Sequence, residues 1–140
     1  MLGDARLSLT HAPRQAYDLI LVDAFNSDAI PVHLLTREAM GVYMDKLAPG
    51  GILALHLSNR YLDLEPVVAA LARERGLKAR IGKTRLSGFI FNASTWAIVA
   101  RSSADFGPLA ADTRWYDAHT RRGVPAWTDD YSSLLSVWDK

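Results

Sequence analysis

Two aspartates frame the chemistry open to this chain. Asp23 ends the apolar run Tyr17–Val22, and Asp28 follows five positions later in the polar turn AFNSDAIP. A carboxylate at the carboxyl end of a buried strand stands where open α/β sheets bind ligands. Such a group suits two tasks, taking a proton from an amine and holding a cation. A lysine-like amine has a pKa near ~10, so about 3 units, or roughly 4 kcal/mol, separate it from its free base at neutral pH. A positioned carboxylate helps supply such a difference. The plainer alternatives are an Asx hydrogen bond closing the turn at Asp23 and a simple turn role for Asp28 ahead of Pro31. Phe25 and Ile30 either wall an alkyl chain or pack, and packing is the expected role.

Three further positions carry chemistry in the segment Trp127-Thr128-Asp129-Asp130-Tyr131-Ser132. Asp129 and Asp130 supply paired carboxylates of the kind that recognise polycations. The expected role is different: Thr128 caps a terminal helix running through Leu134, Leu135 and Trp138, the two acids favour its first turn, and Tyr131 joins the core. Asp4 has the same ambiguity, as an N-cap of a short helix or a ligand contact. His56 shares a strand face with Ile52 and Ala54 and is expected to be structural. His33 and His119 lack a ligand partner at i+3 or i+4, so no metal site is expected. No serine sits in a G-x-S-x-G elbow. Gly82-Lys83-Thr84 is not a phosphate loop, because Gly76 is misplaced and follows a helix.

The elements that must position these groups are legible from periodicity. Residues 4–9 form a short helix, and Tyr17–Val22 has apolar side chains on both faces, as in a strand covered on both sides. Thr36 opens a helix with Ala39, Met40, Tyr43, Met44 and Leu47 at helical spacing. Pro49-Gly50-Gly51 stops it, and Ile52–Leu57 forms a second strand. Residues 63–66 open a second helix that ends at Gly76. Leu77–Ile81 and Trp96–Ala100 are the third and fourth strands, antiparallel because residues 82–95 are too few for a helical crossover. Residues 105–123 are expected to be loop, with a short helix near 109–112 or 114–119. The pattern is that of an α/β layered sheet.

Composition narrows the field. The 140 residues carry 16 basic and 15 acidic side chains, a net charge of +1, and Arg121-Arg122 is the only adjacent basic pair. No nucleic-acid footprint is expected. The absence of cysteine excludes disulfides, cysteine-based zinc sites and thiol nucleophiles. No apolar run approaches the ~20 residues of a membrane helix, and no signal-peptide pattern opens the chain. The default expectation is a cytoplasmic protein without membrane contact of its own.

The segments YDLILVDAFNSDAIPVHLLT (17–36) and WTDDYS (127–132) resemble the polyamine aminopropyltransferases, the spermidine synthase-like proteins. Helix, Leu47-Ala48-Pro49-Gly50-Gly51 and apolar strand also resemble the second half of a class I S-adenosylmethionine-dependent transferase. The resemblance implies a Rossmann-like C-terminal half-sheet of about four strands, with the last pair antiparallel and helices on both faces. It implies aminopropyl transfer from decarboxylated S-adenosylmethionine to a diamine such as putrescine, without a metal. Asp23 would be the catalytic base. Asp28, Asp129, Asp130 and Tyr131 would meet the substrate, and Asp4-Ala5 would meet the cofactor's adenine. Two departures accompany it. The family spaces its turn aspartates more closely than Asp23 and Asp28, and its glycine-rich cofactor loop would precede Gly3-Asp4-Ala5, where only Met1-Leu2 stand. Residues 1–140 are therefore expected to form one truncated domain that binds the donor weakly or not at all. They are also expected to self-associate through an open edge at Tyr17–Val22. A methyltransferase of the same superfamily and a non-catalytic remnant or interaction domain remain as alternatives.

Overall fold

The computed structural model describes residues 5–23, 31–59, 61–84 and 94–138. Its strands are β1 (Tyr17–Val22), β2 (Leu47–His56), β3 (Lys78–Thr84), β4 (Ser94–Ala100) and β5 (Trp115–Asp117). Its helices are α1 (Ala5–Thr10), α2 (Arg37–Lys46) and α3 (Glu65–Glu74). The strands form one open sheet in the order β1-β2-β4-β3-β5. β1 and β2 are parallel, and every other neighbouring pair is antiparallel. This is the α/β arrangement of a Rossmann-like half-domain, with the last two long strands antiparallel as expected. No described helix is long and apolar enough to cross a membrane.

Strand alternation splits the apolar residues between two faces. On one, Ile20, Leu53, Leu55, Ile81, Ala97 and Val99 meet Met40 and Tyr43 of α2 and Val67, Val68 and Leu71 of α3 in the main core. On the other, Ala54, Ile98 and Ala100 pack against Phe106, which a 3-10 helical segment at Ser103–Ala110 brings across. That cover stops short of β1, where Leu19 and Leu21 are 57% and 56% exposed. The expectation that β1 is covered on both faces is therefore corrected. An edge strand with a helix over one face only exposes alternate residues, and the described residues place no strand on its outer side.

Local chemistry explains the ends of the elements. The Thr36 hydroxyl accepts from Ala39 N–H at 3.1 Å and caps α2. At the other end, the Arg101 guanidinium donates to the carbonyls of Met44, Leu47 and Ala48. β2 begins at Leu47, earlier than expected, with an irregularity in its pairing to β1. Gly50 takes φ 79° there, and a Cβ on Gly51 would stand 2.9 Å from the Ala48 carbonyl.

Two expectations fail in the final third. Residues 115–117 form strand β5 and not a helix or loop. No terminal helix starts at Thr128: Thr128 and Tyr131 exchange backbone hydrogen bonds in a tight turn, and among the described residues only a 3-10 turn follows at Leu135–Val137. Tyr131 is 51% exposed, so it is not a core residue.

Candidate functional site

The parallel register of β1 and β2 ends with Val22 opposite Leu55. The next residues, Asp23 and His56, therefore stand level at the carboxyl ends of the two strands. Both continue the face that carries Leu21 and Ala54. The His56 Nδ1 and Asp23 Oδ1 atoms are 2.7 Å apart. An ionised carboxylate only accepts, so the shared proton resides on Nδ1 when the imidazole is neutral. On β4, Trp96 is the register partner of His56, and the two rings stack at 4.6 Å between centroids and 19° between planes. The stack and the carboxylate together fix the imidazole orientation.

The unit is asymmetric in its access to solvent. The Asp23 side chain is 58% exposed and the His56 side chain 25%. Among the described residues, the second Asp23 oxygen has no hydrogen-bond partner, whereas His56 Nε2 is buried and unpaired. Asp23 thus offers an open acceptor to an incoming N–H, with His56 holding it from behind. This is how a general base or a cation anchor is presented.

The WTDDYS segment forms a separate constellation. Both oxygens of Asp129 are taken by the Arg6 guanidinium at 2.7 Å, and Oδ1 also accepts from the Thr36 hydroxyl at 2.8 Å. The Arg6 charge and the Thr36 hydroxyl hold the Asp129 carboxyl below the usual carboxylate range. In return, the carboxylate raises the Arg6 guanidinium. Backbone bonds complete the contact: Arg37 N–H donates to the Trp127 carbonyl at 2.7 Å, and Asp129 N–H donates to Glu38 Oε2 at 2.9 Å. Asp129 does serve a helix N-terminus, but the helix is α2 and not one of its own. Asp130 and Tyr131 are exposed beside it, in a cleft of about 530 Å³ that also includes His33 and Thr36.

The expected site residues thus divide into groups. Asp23 meets His56 and Trp96, while Asp129, Asp130 and Tyr131 line the Arg6 cleft. Asp28, Asp4, Phe25 and Ile30 lie outside the described residues. Ala5 opens α1 and is exposed. Sequence reasoning missed the pairing of His56 with Asp23, although both end apolar strands that flank α2 in the chain. It also missed Arg6, which has no spacing relation to the acid it binds. Among the described residues, no group of three or more His, Cys, Asp or Glu side chains is placed to hold a metal ion.

No family model matches the chain. A stretch of 53 residues is 45% identical to the polyamine aminopropyltransferase of Vibrio vulnificus (strain CMCP6), covering 36% of this chain and 18% of that protein. The matched stretch is therefore well under two thirds of that relative's length.

Proposed function

We propose that the chain carries the amine-accepting side of an aminopropyltransferase site, with a diamine such as putrescine as the acceptor. The supporting observation is the Asp23 carboxylate, open on one side and held by His56 on the other, at the carboxyl ends of parallel strands. The partial likeness to a polyamine aminopropyltransferase supports the same class. In this reading decarboxylated S-adenosylmethionine supplies the aminopropyl carbon bound to a sulfonium. Asp23 takes the proton that the acceptor nitrogen loses as its N–C bond forms and the C–S bond breaks. His56 keeps the carboxylate aimed, and holding the amine in line contributes more than the proton transfer itself. Asp28 is proposed as the second cation anchor, with Asp130 and Tyr131 as further acceptor contacts. Asp129, already engaged by Arg6, holds that wall in place. The donor's adenine is assigned to Asp4 and Ala5 by resemblance alone, and none of the side-chain contacts described above forms a nucleoside cradle.

The acceptor side can be tested without the donor. Putrescine titrated to about 10 mM, the range of weak millimolar binding, should shift the His56 ring and Trp96 indole resonances saturably. Asp23→Asn should abolish the shift. Absence of any shift in the parent chain would remove the acceptor site. Where methylthioadenosine release is measurable, the same substitution should lower turnover by roughly 10²–10⁴-fold, because a base acts in the transition state. Near-normal turnover would return Asp23 to a turn role. A second reading, a non-catalytic docking module, is favoured by the exposure of Leu19 and Leu21 on β1. It predicts no response to putrescine at all.

A further inference from the structure

Arg121 and Arg122, the chain's only adjacent basic pair, do not stand on an isolated surface. With Arg37 at the start of α2 and Arg73 in the last turn of α3, they line a cleft of about 660 Å³. Glu74 is the one acidic side chain among the described lining residues, and with Asp63, which pairs with Arg121 from beside the cleft, it sets two carboxylates against four guanidiniums. This concentration of positive charge occurs in a chain whose net charge is only +1. Val124, which is buried, Pro125 and Ala126 supply an apolar wall.

The four arginines differ in what already holds them. Arg37 is paired with Glu74, Nε donating to Oε2 at 2.9 Å, and Arg121 donates to Asp63 at 2.6 Å. The guanidiniums of Arg73 and Arg122 are exposed and have no hydrogen-bond or ion-pair partner among the described residues. Two guanidiniums are thus held in place and two remain available. A planar fork of donors matches phosphate oxygens better than an ammonium would. The same charge repels polyamines, so this cleft is unsuited to the acceptor proposed above and its ligand is of opposite sign.

We infer that the Arg37–Arg73–Arg121–Arg122 cleft is a binding site for a phosphate-bearing anion with at least two adjacent charges, taken by Arg73 and Arg122. The inference does not depend on the Asp23 site. Calorimetric titration of the full chain with inorganic pyrophosphate at low ionic strength should show saturable binding. Adenosine diphosphate in a parallel titration separates the two sources: tighter binding than pyrophosphate indicates a nucleotide site, and equal or weaker binding a site for free phosphates. Arg73→Gln with Arg122→Gln should weaken pyrophosphate about tenfold or more, with the melting temperature unchanged since both side chains are exposed. Glu74→Gln should tighten it severalfold by removing the competing carboxylate from Arg37. Arg114→Gln removes one positive charge outside the cleft, at a guanidinium paired with Asp112, and should leave affinity unchanged. No saturable binding to about 10 mM pyrophosphate, or equal losses in Arg114→Gln and the double variant, would overturn the assignment.

Discussion

The Asp23–His56 contact shows how two ordinary side chains acquire a direction from their backbone. Neither residue is unusual in sequence, and each alone has a bland structural role. Parallel pairing sets them level, Trp96 fixes the ring plane, and one carboxylate oxygen is left open. The contrast with Asp129 is instructive, because that carboxylate looks equally available in sequence and is fully engaged by Arg6 and Thr36. A third carboxylate gives a clean test of such pairing. Arg114 donates to Asp112 from its side chain and its backbone, and together these lower the Asp112 pKa to about 2. A depressed carboxyl pKa contributes stability above the unfolded value, and that contribution is lost as the pH falls through the folded value. The window for Asp112 is therefore about pH 4 down to about 2. A carboxylate NMR titration should give a midpoint near the lower limit, moving up toward the ordinary carboxylate range in Arg114→Gln. An unchanged midpoint in that variant would show that the ion pair is not what lowers it.

At the scale of elements, long periodic signals were legible and short or borrowed ones were not. β1, β2, β3, β4, α2 and α3 all announce themselves by apolar spacing, because each buries a face that the sequence must supply. β5 does not, since three residues carry no period; it exists because β3 offers a free edge and Trp115 lies over Gly82. The terminal helix failed for a physical reason. Its supposed apolar stripe includes Leu134 and Leu135, which are 42% and 86% exposed, and one of its expected first-turn acids, Asp129, is spent on α2. Of the site, Asp23 was legible from its place at a strand end, whereas its partner depended on register and Arg6 on tertiary contact. The β3–β5 junction yields its own prediction. A Cβ at Gly82 would stand 2.9 Å from three atoms of the Trp115 indole, so Gly82→Ala must displace that ring. The expected cost is about 1–3 kcal/mol in denaturant unfolding, with altered near-ultraviolet tryptophan dichroism. Full stability with an unchanged spectrum would mean that the indole does not rest on Gly82.

For the whole molecule, the sheet is closed off unevenly. One face is filled by α2 and α3, the other is covered only over its far side, and β1 presents an edge with exposed leucines. An unblunted edge of this kind templates pairing with another strand. The proposed outcome is association through Tyr17–Val22, seen by sedimentation equilibrium as dimers or larger species at micromolar concentration. Leu21→Lys should shift them toward monomer, and slow amide exchange along β1 in a strictly monomeric sample would show the edge to be protected. The same molecule also contains a clock. The cap of α2 is completed by Asp129, which follows Thr36 by 93 residues. At ribosomal rates of about 5–20 residues per second, that interval is on the order of 5–20 s. All five strands are synthesised before Trp127, so the acid that completes the start of α2 is made later than every strand of the sheet. The two groups that Asp129 clasps, Arg6 and Thr36, therefore wait for their partner through most of the synthesis of the residues between them.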